Sequence, residues 1–200
     1  YINRGLAKSN LKDYKGALKD FDKAIELKPT DFIFYKFRGR LNSRLEDYEG
    51  ALYDFNKALD INPKGFELYK DRGDIKISLQ NYKGAVSDYT KALKNDPTNS
   101  SLYLQRAVAY ISEGKQEPIS TNDAISDLTQ AIEFISYNES MTLMSIYELR
   151  ASIRYSYLKD KKGACKDWKQ VALLNSSDVP KHIEVPKNYK KYCMSNNQMK

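Results

Sequence analysis

The sequence predicts an all-α protein: about five antiparallel helical hairpins stacked in a row, closed by a capping segment at the C-terminus. Two observations carry this. The chain falls on itself when shifted by 34 residues, and a fixed period of about 20–50 residues is the mark of repeat architectures. Within each period apolar residues such as Ala17, Phe21, Ala24 and Ile25 step by three and four, which is one face of a helix.

The shift superimposes Gly5, Gly39 and Gly73, then Tyr14, Tyr48 and Tyr82, then Ala17, Ala51 and Ala85. Ala24, Ala58 and Ala92 follow, and Pro29, Pro63 and Pro97 close each period. Each set has a physical task. Small residues, Gly5 on the first helix and Ala17 on the second, let two antiparallel helices approach closely, and Tyr1 and Phe21 fill the wider gaps beside them. Asp13, Asp47 and Asn81 stand where a side chain can cap the second helix. The proline that follows Leu27 or Ile61 ends that helix and starts the turn to the next unit. A lone hairpin cannot bury both of its apolar faces, so neighbours must stack.

The expected units are residues 1–31, 32–65, 66–99, 100–138 and 139–175, with a tail over 176–200. The last two units leave the register. The turn between Gly114 and Asn122 is longer than in earlier units, which makes Lys115 to Ser120 a candidate binding insertion. Residues between Phe134 and Tyr147 are also in excess, and Met141 to Leu158 read as an extended first helix. In the tail, Tyr189 and Tyr192 are spaced to form the apolar side of a short capping helix.

The pattern resembles the tetratricopeptide-repeat family, whose signature is aromatic-x2-Leu-Gly-x2-Tyr, then Ala-x3-Phe, then Pro. The matching residues are Tyr1, Gly5, Ala17, Phe21 and Pro29 in the first unit and Tyr35, Gly39, Ala51, Phe55 and Pro63 in the second. The third offers Tyr69, Gly73, Ala85, Tyr89 and Pro97. The fourth keeps Tyr103, Ala107, Ala124 and Leu128, and the fifth Tyr147, Ala151, Ala164 and Trp168. Gly163 to Trp168 with a later Tyr-Cys looks like the closing repeat of bacterial arrays of this kind. The resemblance implies a right-handed superhelical solenoid that works as a protein-protein interaction scaffold.

One departure from the family pattern recurs in every unit. The leucine before the glycine is replaced by Arg4, Arg38, Arg72, Arg106 and Arg150. The residue before the second-helix aromatic, or before Leu128 in the fourth unit, is Asp20, Asp54, Asp88, Asp127 and Asp167. Five arginines matched to five aspartates predict a repeated structural ion pair, since the guanidinium fork can hold a carboxylate bidentately. The partners lie either within one hairpin or between one hairpin and the preceding one.

In the family, first helices line a concave groove and partners bind along it. The resemblance therefore implies a protein-binding stripe of Lys36, Arg40, Arg44, Lys70, Asp71, Asp74, Gln105, Val108 and Ser152. The i, i+4, i+8 spacing of Lys36, Arg40 and Arg44 independently places these three on one helical face. Two readings stand at this point. The stripe offers a basic segment, an acidic step and a more apolar stretch to a peptide with acidic residues, or Arg40 and Asp74 neutralise each other across adjacent helices. A carboxylate clamp of the chaperone-binding kind is not expected. Asp71 replaces the asparagine such a clamp needs and would repel a carboxylate, and Ser101 and Gln105 replace its last basic pair.

Composition narrows the function classes. A net charge of +7 and a pI near 9.1 favour acidic partners, but the lysines are scattered, as on a solvated surface. No apolar run approaches the roughly 18 residues of a membrane helix. Nothing reads as a signal peptide. The repeat is already under way at Tyr1, so sequence is expected upstream, and compartment stays open between the cytoplasm by default and a periplasmic or secreted setting. Two cysteines, Cys165 and Cys193, and one histidine, His182, offer neither a zinc spacing nor a catalytic set. A Cys165–Cys193 disulfide fits an oxidising compartment, and free thiols fit a reducing one; His182 is read as a surface residue. No enzymatic activity, cofactor or metal is expected. The alternatives to a scaffold are association with nucleic acid, from the charge and the 16 tyrosines, and service as the interaction arm of a larger protein.

Overall fold

The computed structural model describes residues 1–114, 121–136, 139–177 and 187–193. The candidate insertion Lys115 to Ser120 and the tail residue His182 lie outside these. Every regular element among the described residues is a helix, and the chain divides into two units, Tyr1–Pro97 and Thr98–Lys200. The first unit holds α1 (Ile2–Asn10), α2 (Tyr14–Leu27), α3 (Phe32–Arg44), α4 (Tyr48–Ile61), α5 (Phe66–Ser78) and α6 (Tyr82–Leu93). The second holds α7 (Ser100–Gly114), α8 (Thr121–Phe134), α9 (Ser140–Ser156), α10 (Lys161–Ser177) and α11 (Lys187–Cys193). The extended first helix expected over Met141 to Leu158 is α9.

Four of the hairpins turn in the same way. Lys12, Glu46, Gln80 and Lys159 take left-handed φ values of 57–63°, one residue before the cap. Asp13, Asp47, Asn81 and Asp160 then accept hydrogen bonds from the backbone N–H groups of Gly16, Gly50, Gly84 and Gly163 at 2.8–3.0 Å. Glycine suits the receiving position because a Cβ on Gly16 or Gly50 would collide with the capping carboxylate. Replacing Asp47 with alanine is expected to cost about 1 kcal/mol of stability, measurable by urea unfolding; Asp47→Asn should restore most of it.

The packing follows the small-against-large pattern. Ala17, Ala51 and Ala85 have no exposed surface, and Phe21, Phe55 and Tyr89 are 1 % exposed. A Cβ added to Gly39 would come within 3.2 Å of both Asp54 and Phe55, so alanine at this crossing would have to push these side chains back by a few tenths of an ångström. Tyr35, with hairpins on both sides, is buried, and Tyr1, which precedes α1, is more than half exposed. In the first unit each helix packs on the next in sequence; α1 also touches α3, and α3 touches α5, whereas the second helices make no comparable contact with one another. Close first helices and splayed second helices put α1, α3 and α5 on the inner side of this unit.

In the second unit α8 packs on both α7 and α9, and α10 on both α9 and α11. Helix α11 lays Tyr189 and Tyr192 over Trp168 and Tyr155, with the Tyr192 ring centroid 4.6 Å from that of Tyr155. Cys165 and Cys193 are joined by a disulfide that closes a loop of sequence separation 28. A seven-residue helix has little hold of its own, because short helices depend on tertiary contacts. Replacing both cysteines with serine is expected to lower the stability of this unit by about 2–4 kcal/mol. The check is urea unfolding followed by tryptophan fluorescence, with and without reductant; wild type should respond to reductant and the serine variant should not.

Candidate functional site

The arginines and aspartates meet in all five hairpins, and each carboxylate belongs to the hairpin of its own arginine. Arg38 donates from Nε and Nη2 to Asp54 at 3.0 and 2.6 Å, and Arg72 does the same to Asp88 at 2.8 and 2.7 Å. Arg4 pairs with Asp20, Arg106 with Asp127 and Arg150 with Asp167 by the same two nitrogens. The aspartates are only 1–4 % exposed. The third arm of the guanidinium reaches back one hairpin: Arg38 Nη1 to Asp22, Arg72 Nη1 to Asn56 and Arg150 Nη1 to Thr129 Oγ1, at 2.6–2.9 Å. Both arrangements left open by the sequence thus occur at once, the carboxylate within the hairpin and a polar group across to the preceding one.

Two further partners escaped the sequence reading. The side chain four residues after the arginine also binds the aspartate, as Lys8 with Asp20, Asn42 with Asp54, Lys76 with Asp88 and Arg154 with Asp167. The signal was the helical i, i+4 spacing from each arginine. The tyrosine three residues before each arginine lies under the guanidinium, with centroid distances of 5.2–5.9 Å from Tyr1–Arg4 through Tyr147–Arg150. Such stacking favours arginine over lysine. These side chains hold helices together and are spent on the fold.

Acidity separates the homologous aspartates. Hydrogen bonds from Arg4 and Lys8 hold the Asp20 carboxyl well below its ordinary value of 3.8. Burial pushes Asp54 above that value despite Arg38, and pushes Asp71 up despite Arg40. For Asp20 the folded value lies below the unfolded one. Its stabilisation is complete above pH 3.8 and is lost as pH falls through the lower folded value. For Asp54 the sign reverses, because charging it burdens the folded state and acid relieves that burden. In a carboxyl-carbon NMR titration Asp20 should protonate below, and Asp54 above, a free aspartate; coincident midpoints would contradict this.

The predicted binding stripe lies partly on the inner side of the first unit. On α3, Lys36 Nζ is 3.3 Å from Glu67 and Arg40 Nε is 2.6 Å from Asp71, both on α5. Arg40 therefore pairs with Asp71 rather than with Asp74, which stands a turn further along. Asp74 instead accepts from Lys70 Nζ at 2.9 Å and from the Tyr89 hydroxyl at 2.7 Å. The basic segment and the acidic step largely neutralise each other. Glu67 was missed, although it follows Lys36 by the same 31 residues that separate Asp71 from Arg40. Arg44, exposed in the last turn of α3, has no ion-pair partner among the described residues. In the second unit Val108 on α7 and Ser152 on α9 are exposed, and Gln105 Oε1 is a buried acceptor with no hydrogen-bond partner among the described residues.

Successive hairpins locked by the same ion pair and the same small-against-large crossing define a helical-repeat protein. The tetratricopeptide-repeat family matches residues 1–31, 66–99 and 88–119. The chain is a tetratricopeptide-repeat protein. No curated protein matches it. Among solved structures it is similar to MamA from Desulfovibrio magneticus RS-1, with 17 % identity, a TM-score of 0.76 and coverage of 88 % of this chain and 94 % of that one. It is also similar to YrrB, described as a tetratricopeptide-repeat protein with an unusual peptide-binding site, at 20 % identity and a TM-score of 0.73 over 88 % of this chain and 86 % of that one. A thermophilic tetratricopeptide-repeat protein of Thermus thermophilus, TTC0263, matches at 18 % identity and a TM-score of 0.57, over 96 % of this chain and 97 % of that one. These likenesses establish the fold. Proteins of this family and fold are generally scaffolds rather than catalysts, which supports the same reading here.

Proposed function

We propose that this chain is a protein-interaction scaffold that holds a segment of a partner protein against the inner faces of its first helices. The observation that carries this is a contrast within the chain itself. Packing positions repeat from hairpin to hairpin, as with Ala17, Ala51, Ala85, Ala124 and Ala164, all with no exposed surface. Stripe positions vary: Lys36 and Lys70 give way to Leu104 and Glu148, and Arg40 becomes Asp74, Val108 and Ser152. Folding constrains the packing positions and leaves the stripe free to be matched to a partner.

The neutralised stretch around Lys36, Arg40, Glu67 and Asp71 favours a protein over a nucleic acid. Phosphate binding needs cations free to replace counterions, and these are already engaged. The Cys165–Cys193 bridge favours an oxidising compartment, and no helix among the described residues is long and apolar enough to cross a membrane.

The test is selection of random displayed peptides on the immobilised chain, followed by NMR mapping of a selected peptide. Perturbed resonances should cluster on the first helices, α3 and α5 in the first unit or α7 and α9 in the second. Perturbation confined to α2, α4, α8 or α10 would overturn the assignment.

A further inference from the structure

Between α1 and α3 the inner side of the first unit contains a recess of about 140 Å³. Its floor is apolar. Phe21 rises from α2 to stack on Phe37, with ring centroids 6.3 Å apart and planes 20° from parallel, and Leu6 and Leu41 close the sides. Phe21 and Leu41 are 1 % and 3 % exposed, so the floor is fixed by the core and does not depend on an occupant. Ser9 and Asn10 on α1 and Arg40 and Arg44 on α3 form the rim. The space is well below the about 300–1,000 Å³ of sites for whole small ligands; it suits a single side chain.

Charge decides which segment would bring that side chain. Of the three cations in line on α3, Lys36 is engaged by Glu67 and Arg40 by Asp71. Arg44 is exposed at the mouth of the recess without an anionic partner among the described residues. A guanidinium beside an apolar pocket complements an apolar side chain with a carboxylate next to it, because the fork can take the carboxylate bidentately. We infer that this recess is a specificity pocket for an extended partner segment carrying a leucine-sized side chain immediately beside an aspartate or glutamate. The inference rests on the inner-face reading above and adds to it the chemistry of the occupant and its place. Arg44 also sits favourably at the C-terminal end of its helix, a role that does not depend on any ligand.

The experiment uses the whole chain, labelled for NMR, and four pools of nine-residue peptides, acetylated and amidated. The pools are degenerate except for a central pair, Leu-Asp, Leu-Lys, Ser-Asp or Ser-Lys. The Leu-Asp pool should act at the lowest concentration and shift Leu6, Phe37 and Leu41. Arg44→Ala should raise its midpoint about tenfold while leaving the free chain folded, with only the small drop in unfolding temperature that loss of a last-turn cation brings. Ser9→Trp, which fills the recess from its rim, should abolish those shifts; retention of the wild-type amide spectrum elsewhere shows that the variant is folded. Equal binding of the Leu-Lys or Ser-Asp pool, or indifference to Arg44→Ala, would overturn the pocket. Shifts on α5, α7 or α9 alone would overturn it while leaving the inner-face reading intact. Shifts on no first helix with any pool would overturn both.

Discussion

Replacing Asp88 with alanine is expected to destabilise the first unit by about 3–5 kcal/mol, because it removes the anion from a buried charge cluster and strands the cations. Asp88 is 1 % exposed and receives Arg72 Nε and Nη2 at 2.8 and 2.7 Å and Lys76 Nζ at 2.7 Å. Alanine leaves Arg72 and Lys76 side by side on one helix face, both largely shielded from water. Arg72→Ala should cost less, about 1.5–3 kcal/mol, since Lys76 still neutralises the carboxylate. The double variant should be more stable than the sum of the single effects requires, by about 0.5–3 kcal/mol. Urea unfolding of the four proteins completes the cycle. Strict additivity would mean that the two side chains do not act as a pair.

Phe55→Ala is the second large effect, about 3–5 kcal/mol. Phe55 is 1 % exposed and belongs to a cluster that spans two hairpins, with Tyr35, Ala51, Ala58 and Leu59 on one and Leu68 and Ile75 on the next. Truncation empties the space between neighbouring repeats, and interiors this dense close such a gap only partly. Repeats are held together by these interfaces, so the loss should also make unfolding of the first unit less cooperative. Tyr53→Ala, on the same helix but 57 % exposed, should stay within about 0.5 kcal/mol of wild type. A similar cost at both positions would place the interface elsewhere.

The hairpins, their small-residue crossings and their caps were legible because each is a local rule written in successive copies. A single Asp13 before Gly16 is weak evidence; the same offset at Asp47–Gly50 and Asn81–Gly84 is not chance. The ion pairs were legible for the same reason, but their full geometry was not. Whether Arg38 reaches Asp54, Asp22 or both depends on how closely consecutive hairpins approach, and no periodicity contains that distance. The inner face was hardest to read. Lys36, Arg40 and Arg44 lie on one helix stripe and look alike in sequence, yet only the first two find carboxylates, because Glu67 and Asp71 come from the neighbouring helix. Arg44 lies beyond the reach of that pair. The disulfide was open on sequence grounds because 28 residues of separation say nothing about proximity; the meeting of Cys165 and Cys193 follows from α11 folding back on Trp168.

Removal of one repeat in register is the most direct test of how this protein is built. Deleting residues 32–65 joins Asp31 to Phe66, a residue that stands where Phe32 stood, and removes α3 and α4 as a unit. If each hairpin depends only on its neighbours, the shortened chain should keep its helicity per residue and a cooperative, lower-temperature transition by far-UV circular dichroism. Loss of helix across the rest of the first unit would show that its core is shared globally, and would contradict a stack of equivalent hairpins.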